Sequence, residues 1–135
     1  MITRSKANAI LADMFGGTIY IGLSTDTPNE NGGNFAEPIP GDITGYKRAK
    51  VEVMAKHSSI DGQVQNTDII FFPECLSAWG TITHFGVFTA QTGGTPFFWG
   101  ELTPSVPITA EYIPIFRKYA LMIGLDKDAL EIPAT

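Results

Sequence analysis

Three β-favouring runs crowd into residues 66–102, and their order leaves few options for the fold. Ile69, Ile70, Phe71 and Phe72 form a β-branched and aromatic run closed by Pro73, residues 79–88 form a second, and residues 97–102 form a third. Gln91, Thr92, Gly93 and Gly94 lie between the last two, a glycine turn that predicts an antiparallel hairpin. The runs at 69–72 and 97–99 are continuous rather than alternating. Either both of their faces are covered inside the domain, or one face is buried by another chain.

Upstream, Thr3 is placed to cap a short helix over about residues 3–15, in which Ala7, Ile10, Leu11 and Met14 recur at spacings of three and four. Gly16 and Gly17 end it. A helix this short needs its apolar stripe docked, on its own sheet or on a neighbouring subunit. From Thr18 the period becomes two, with Ile19, Ile21 and Leu23 facing one way and Thr18, Tyr20 and Gly22 the other. Residues 24–45 are rich in Gly, Pro, Asn and Asp and read as a long surface loop, the best place in the chain for a variable contact. Residues 46–55 alternate again, with Ala49, Val51 and Val53 on one side and Arg48, Lys50 and Glu52 on the exposed side.

Residues 57–65 are polar, carry an Asp61-Gly62 turn signal, and link two strands. Pro104 and Pro107 make residues 103–108 an edge or a loop. Residues 119–125 alternate through Leu121, Ile123 and Leu125, and residues 126–135 read as an extended arm. About seven short strands and one helix predict a single all-β domain over residues 1–135, an antiparallel β-sandwich or jelly-roll-like barrel with one short N-terminal helix. The expected core is Ile19, Ile21, Leu23, Val51, Val53, Phe71, Ile82, Phe88, Leu121 and Ile123.

Composition narrows the partners. Fourteen acidic residues against nine basic ones, a net charge of −5, argue against nucleic acid, whose phosphates are held by clustered Lys and Arg. The densest basic cluster, Lys47, Arg48, Lys50 and Lys56, falls in or beside a strand pattern and is read as a solvated face. One cysteine, Cys75, excludes an internal disulfide, and its neighbours Glu74 and Leu76 offer no positive charge, so it is read as a packing residue. No signal peptide is seen in residues 1–15, and no run approaches the about 18 apolar residues that span a bilayer. No membrane partner is expected.

The chemistry-bearing groups are isolated. His57 and His84 are the two histidines, and neither has a second His or a carboxylate at a ligand spacing, so no metal is expected and His84 reads as a hydrogen-bonded structural residue. The glycines form no phosphate-cradling pattern, and Ser24, Ser58, Ser77 and Ser105 lack a nucleophile-elbow setting. A carboxylate pair across a cleft, such as Glu74 with Glu101, stays open. The expectation is a protein that is not an enzyme and needs no cofactor. Trp79, Trp99, Tyr46 and Phe35 would offer a stacking platform for sugars if exposed. Trp79-Gly80 and Trp99-Gly100, however, set a large ring beside bare backbone, which favours packing in a core or subunit interface.

Phe72-Pro73-Glu74, residues 79–88, Thr92-Gly93-Gly94 and Trp99-Gly100-Glu101-Leu102, in that order, resemble a pattern in small structural proteins of tailed bacteriophages, described as tail-fibre-like or tail-associated. The likeness extends upstream. Residues 20–28, the Asn/Glu/Gly loop after them, Ala36-Glu37-Pro38 and Gly45-Tyr46-Lys47-Arg48-Ala49 are similar to that family's opening strand, acidic-glycine loop, Ala-Glu-Pro turn and Gly-Gly-Tyr-Ala-Arg-Val-type strand. Gly124-Leu125-Asp126 resembles the closing strand, so the resemblance covers about residues 11–126. Two departures stand out: Gly45-Tyr46-Lys47 interrupts the usual Tyr-Ala-Arg order, and residues 111–117 are bulkier than the family's small-residue segment.

The resemblance implies a copy-repeated virion component, made in the host cytoplasm and held by protein contacts, and it brings no catalytic residues. The expected role is a tail-associated structural protein that forms a homo-oligomer and contacts other virion proteins. The alternatives are a capsid-decoration (cement) protein of the same fold and a glycan-binding module for host attachment. Candidate assembly contacts are the helix stripe Ala7, Ile10, Leu11 and Met14, the loop residues Asn31 and Phe35, and the rings of Trp79 and Trp99.

Overall fold

The structure, a computed structural model, describes residues 3–52, 54–56 and 63–124. Val53, the Asp61-Gly62 turn, Leu125 and the arm at 126–135 lie outside them. In chain order the elements are α1 (Arg4–Phe15), β1 (Ile19–Ser24), β2 (Ala49–Val51), β3 (Met54–Lys56), β4 (Gln63–Asn66), β5 (Ile70–Phe71), β6 (Gly80–Phe88), β7 (Phe98–Ile108), β8 (Ile115–Phe116) and β9 (Met122–Gly124). The described chain is mostly β with one short helix, and it divides into two compact units.

The smaller unit comprises residues 1–18, 52–69 and 116–135. Its helix starts as the sequence predicts: Thr3 is extended and its hydroxyl accepts from the Lys6 N–H at 3.2 Å, with Gly16 as the C-cap. Strands β3, β4 and β9 form an antiparallel sheet in which Val64 lies opposite Lys56 on one side and Ile123 on the other. The helix packs against β3 and β4, so its stripe docks on a sheet of its own chain. Leu11 is 1% exposed and Phe15 0%, while Ile10 and Met14 are half-buried. Phe15 sits one turn beyond Leu11 and extends the stripe past Met14.

A polar residue organises the other end of this unit. The buried Asn66 amide donates to the carbonyls of Asp68 and Arg117 and accepts from the Leu121 N–H, at 2.8–2.9 Å. Its backbone also accepts from Tyr119 and donates to Leu121. Every polar atom of the side chain is engaged, which is what makes burying an amide affordable in free energy and fixes the turn that leads into β9.

The larger unit comprises residues 19–51 and 70–115. Its sheet has the order β2-β1-β6-β7, with Ile21 opposite Ala49 on one side and Val87 on the other. Ile19, Ile21 and Leu23 are buried as expected, and Phe85 and Val87 accompany them across the β1–β6 pair. The second face is covered too, although composition marked residues 24–45 as an exposed loop. Gly22 lies directly opposite Gly86, leaving a bare floor on which the loop settles. A Cβ at Gly86 would stand 2.7 Å from the Phe35 ring, and that ring meets Phe88 edge-on at 5.2 Å. Ser24, His84 and Phe88 are buried as a result. Glycine is needed at both positions because any side chain would lift the loop.

β6 and β7 form the predicted hairpin, turned through Gly93 and Gly94 at φ 75° and 73°. β7 runs on through Pro104 and Pro107 as the end strand of its sheet, the edge setting that prolines allow. Between the pairs His84–Glu101 and Ile82–Val106, one residue of β6 faces four of β7, so β7 bows outward at residues 102–105. Gly100 is overlaid by the ring of Phe85 from the neighbouring strand, not by Trp99. Cys75 is fully buried, with its thiol directed at the Ser77 carbonyl.

Three expectations need correction. Residues 46–55 are not one strand: β2 ends at Val51, and β3 belongs to the sheet of the smaller unit. Arg48, placed by alternation on the exposed side, is 5% exposed, because it precedes β2 and is covered by ion pairing instead of solvent. Phe71, expected in the core, is 63% exposed while Ile70 and Phe72 on either side are buried. The pleat alternates through this continuous apolar run, and the outward face has no cover from the described chain. Phe72→Ala is therefore expected to cost about 3–5 kcal/mol, and Phe71→Ala to stay within about 0.5 kcal/mol, in equilibrium denaturation.

Candidate functional site

Two short segments of the larger unit, the ends of an eleven-residue span, meet at one charged cluster. Pro38 follows Glu37 at the end of the loop's descent onto the sheet, and Tyr46 and Arg48 lie on the approach to β2. The Arg48 guanidinium grips Glu37 in bidentate fashion, Nε to Oε2 at 3.0 Å and Nη2 to Oε1 at 2.7 Å. Its Nη1 donates to the carbonyls of Ala90 and Gly93, both at 2.9 Å, and its Cζ lies 3.4 Å from the centroid of the Phe88 ring. The planar fork of arginine suits this combination of paired hydrogen bonds and ring stacking, which a lysine could not reproduce.

Tyr46 completes the cluster. Its hydroxyl donates to Glu37 Oε2 and accepts from the Leu23 N–H at 3.0 Å. Burial, reinforced by the Glu37 charge and hydrogen bond, pushes the phenol pKa far above its ordinary value, so it remains a donor. Trp79 stands edge-on to Tyr46 at 5.2 Å and donates from Nε1 to the Thr44 carbonyl at 2.8 Å. The Gln91 amide donates to the Arg48 carbonyl at 2.8 Å. All these contacts tie the protein to itself, so the cluster is a clamp that holds the 24–45 loop and the 90–93 turn on the sheet. A cleft of about 700 Å³ runs beside it, with Pro40, Asp42, Pro73 and Leu76 in its wall.

Next to the clamp lies an exposed apolar stretch. The segment 71–76 is joined by backbone hydrogen bonds on both sides: Phe72 N–H to Pro114 O and Cys75 N–H to Tyr112 O on one, Leu76 N–H to Thr44 O on the other. This places Phe71, Leu76, Ile43, Tyr112, Ile113 and Ile115 on adjoining segments, each between 44% and 83% exposed. Ile39, whose carbonyl accepts from the Thr44 hydroxyl, is exposed as well. Scattered single hydrophobes on a surface are ordinary, but several on adjoining hydrogen-bonded segments make a candidate contact surface.

The residues singled out from sequence separate. Ile10, Leu11 and Met14 lie on α1 in the smaller unit, and Leu11 is part of its core; Ala7 is on the same helix. Asn31 and Phe35 belong to the loop on the sheet of the larger unit. There Asn31 is exposed, with its N–H held by Asn29 Oδ1 at 3.0 Å, and Phe35 is half-buried over Gly86. Trp79 is buried, whereas Trp99 is half-buried and donates to the Asn29 carbonyl at 3.1 Å. Reading the sequence left open that one face of residues 69–72 is buried by another chain, but placed Phe71 in the core and missed Leu76, Ile39, Ile43 and residues 112–115 as part of a surface. The available signal was the bulk of residues 111–117.

The Ala36-Glu37-Pro38 and Gly45–Ala49 motifs are thus the two halves of one clamp. A family model described as Podophage GP4 fiber I protein gp80 matches residues 2–124. The chain belongs to this podophage fibre family. The match spans nearly the whole chain, so both units fall within the fibre protein pattern. Among curated proteins no match is found. As a fibre protein the chain is a component of the virion that associates with other virion proteins. Among the described residues of this fibre protein, no helix is long and apolar enough to cross a membrane.

Proposed function

We propose that this chain is a subunit of a podophage tail-fibre assembly that works by protein–protein contact and not by catalysis, and that its principal contact is the apolar surface around Phe71, Leu76 and residues 112–115. The observation carrying this reading is that surface itself: six large apolar side chains stand in solvent on adjoining, hydrogen-bonded segments of a chain whose family is virion-borne. The partner is another chain of the virion, further copies of this one included. Repetition along a fibre makes modest individual contacts collectively strong, because each later contact forms at high effective concentration. The clamp supports this role by holding Ile39 and Ile43 in place beside Leu76, so the surface is preformed and little ordering is needed on binding. Purified virions separated into heads and tails and analysed by mass spectrometry test the location. The chain is expected in the tail fraction, and its recovery with the heads would replace this reading by capsid decoration.

A further inference from the structure

Asn31-Gly32 is the only Asn-Gly pair in the sequence, and glycine is the successor that leaves an asparagine most open to attack by its own backbone. With no Cβ on residue 32, the backbone nitrogen can reach the carbonyl carbon of the Asn31 side chain. The nitrogen gives its proton to solvent hydroxide and bonds to Asn31 Cγ, the Cγ–Nδ2 bond breaks, and ammonia leaves with a proton taken from water, closing a succinimide ring. Water then opens the ring at either carbonyl, to aspartate or to isoaspartate, and the second product carries the main chain through one extra methylene.

The fold requires the glycine and leaves the asparagine in solvent. Gly32 is buried at φ 81°, and a Cβ there would stand 2.7 Å from the Pro96 carbonyl oxygen, so a side chain at this position would strain both backbone and packing. Asn31 is exposed, and no described residue holds its side-chain amide, in contrast to Asn34, whose Nδ2 donates to the Thr27 carbonyl at 2.9 Å. What opposes the reaction is Asn29, which gathers three successive N–H groups. Those of Asn31 and Gly33 donate to its Oδ1 at 3.0 and 2.9 Å, and that of Gly32 donates to its carbonyl at 2.9 Å. The Asn29 N–H closes the turn on the Gly33 carbonyl at 2.9 Å, and Trp99 Nε1 donates to the Asn29 carbonyl at 3.1 Å. The Gly32 proton that has to leave is therefore engaged in a hydrogen bond, and the nitrogen that has to turn toward Asn31 Cγ is fixed between two neighbours held by the same side chain.

We propose that Asn31-Gly32 is a latent modification site, kept from deamidating by the Asn29 turn and released when that turn opens. Isoaspartate inserts a methylene between the N–H groups of residues 31 and 32, so the two no longer meet Asn29 together and the turn does not re-form; the change runs one way. It uses none of the residues of the apolar surface. The full chain is incubated at neutral pH, and conversion at Asn31 is followed by peptide mass spectrometry, with isoaspartate identified by its methylation with isoaspartyl methyltransferase. Folded wild type is expected to convert at least about tenfold more slowly than the same chain unfolded in urea, because reaction waits on local opening of the turn. Asn29→Ala, with its fold checked by circular dichroism, is expected to convert about tenfold faster than folded wild type, the order expected when two backbone donors lose their acceptor. Asn29→Asp keeps an acceptor oxygen in place and is expected to stay near the wild-type rate. Trp99→Phe, which removes only the donor to the Asn29 carbonyl, is expected to fall between wild type and Asn29→Ala, and it serves as the test should Asn29→Ala fail to fold. Equal rates in folded and unfolded wild type overturn the proposal, and so does a folded Asn29→Ala, or in its place a folded Trp99→Phe, that converts no faster than wild type.

Discussion

Arg48→Ala is expected to destabilise the larger unit by about 3 kcal/mol, at the lower end of the range for breaking a buried ion pair by removing one partner. Truncation leaves Glu37, 21% exposed, beside the Tyr46 hydroxyl without its counter-charge, and frees the carbonyls of Ala90 and Gly93. It also uncovers the Phe88 ring. Arg48→Lys restores the charge but neither the bidentate grip nor the stacking, so it is expected to recover only part of the loss. Equilibrium denaturation measures the size of the effect. Hydrogen exchange locates it, with protection falling first at residues 24–45 and 90–93, the two segments the guanidinium holds. Raised salt should do little to the wild-type clamp, because a pair this buried is poorly screened.

The sequence showed the strands where period and turn chemistry agree. The alternation of Ile19, Ile21 and Leu23, the cap at Thr3 and the glycine turn before β7 all rest on local geometry, and each is found in the structure. It was silent where long-range pairing decides. Nothing local to Arg48 announces Glu37, eleven residues away, or the carbonyl of Gly93, forty-five residues away, so a buried arginine looked like one of a row of exposed charges. Residues 63–65 read as the end of a polar link for the same reason: they belong to β4, and half of its pairing is with β9, about sixty residues away. The loop at 24–45 has the composition of an exposed connection, but Gly22 opposite Gly86 gives it a floor, and that pairing appears only with the register. The run at 69–72 left its covering open, and the exposed face of Phe71 points to the second choice, burial by another chain.

That choice yields the second large effect. Phe71→Asp combined with Ile113→Asp puts two charges on the surface proposed to meet a neighbouring virion chain. Both residues are more than half exposed, so each substitution should change the stability of the isolated chain by no more than about 0.5 kcal/mol. In an interface the same changes would remove two apolar anchors and bury unpaired charge, a loss of about 2 kcal/mol or more for each anchor, repeated at every copy. The decisive measurement is the copy number of the doubly substituted chain in purified virions, by quantitative mass spectrometry, with circular dichroism and thermal melting of the isolated chain as the control for folding. A folded, soluble variant missing from virions is expected; a folded variant present at the wild-type copy number would rule out this surface as the principal contact.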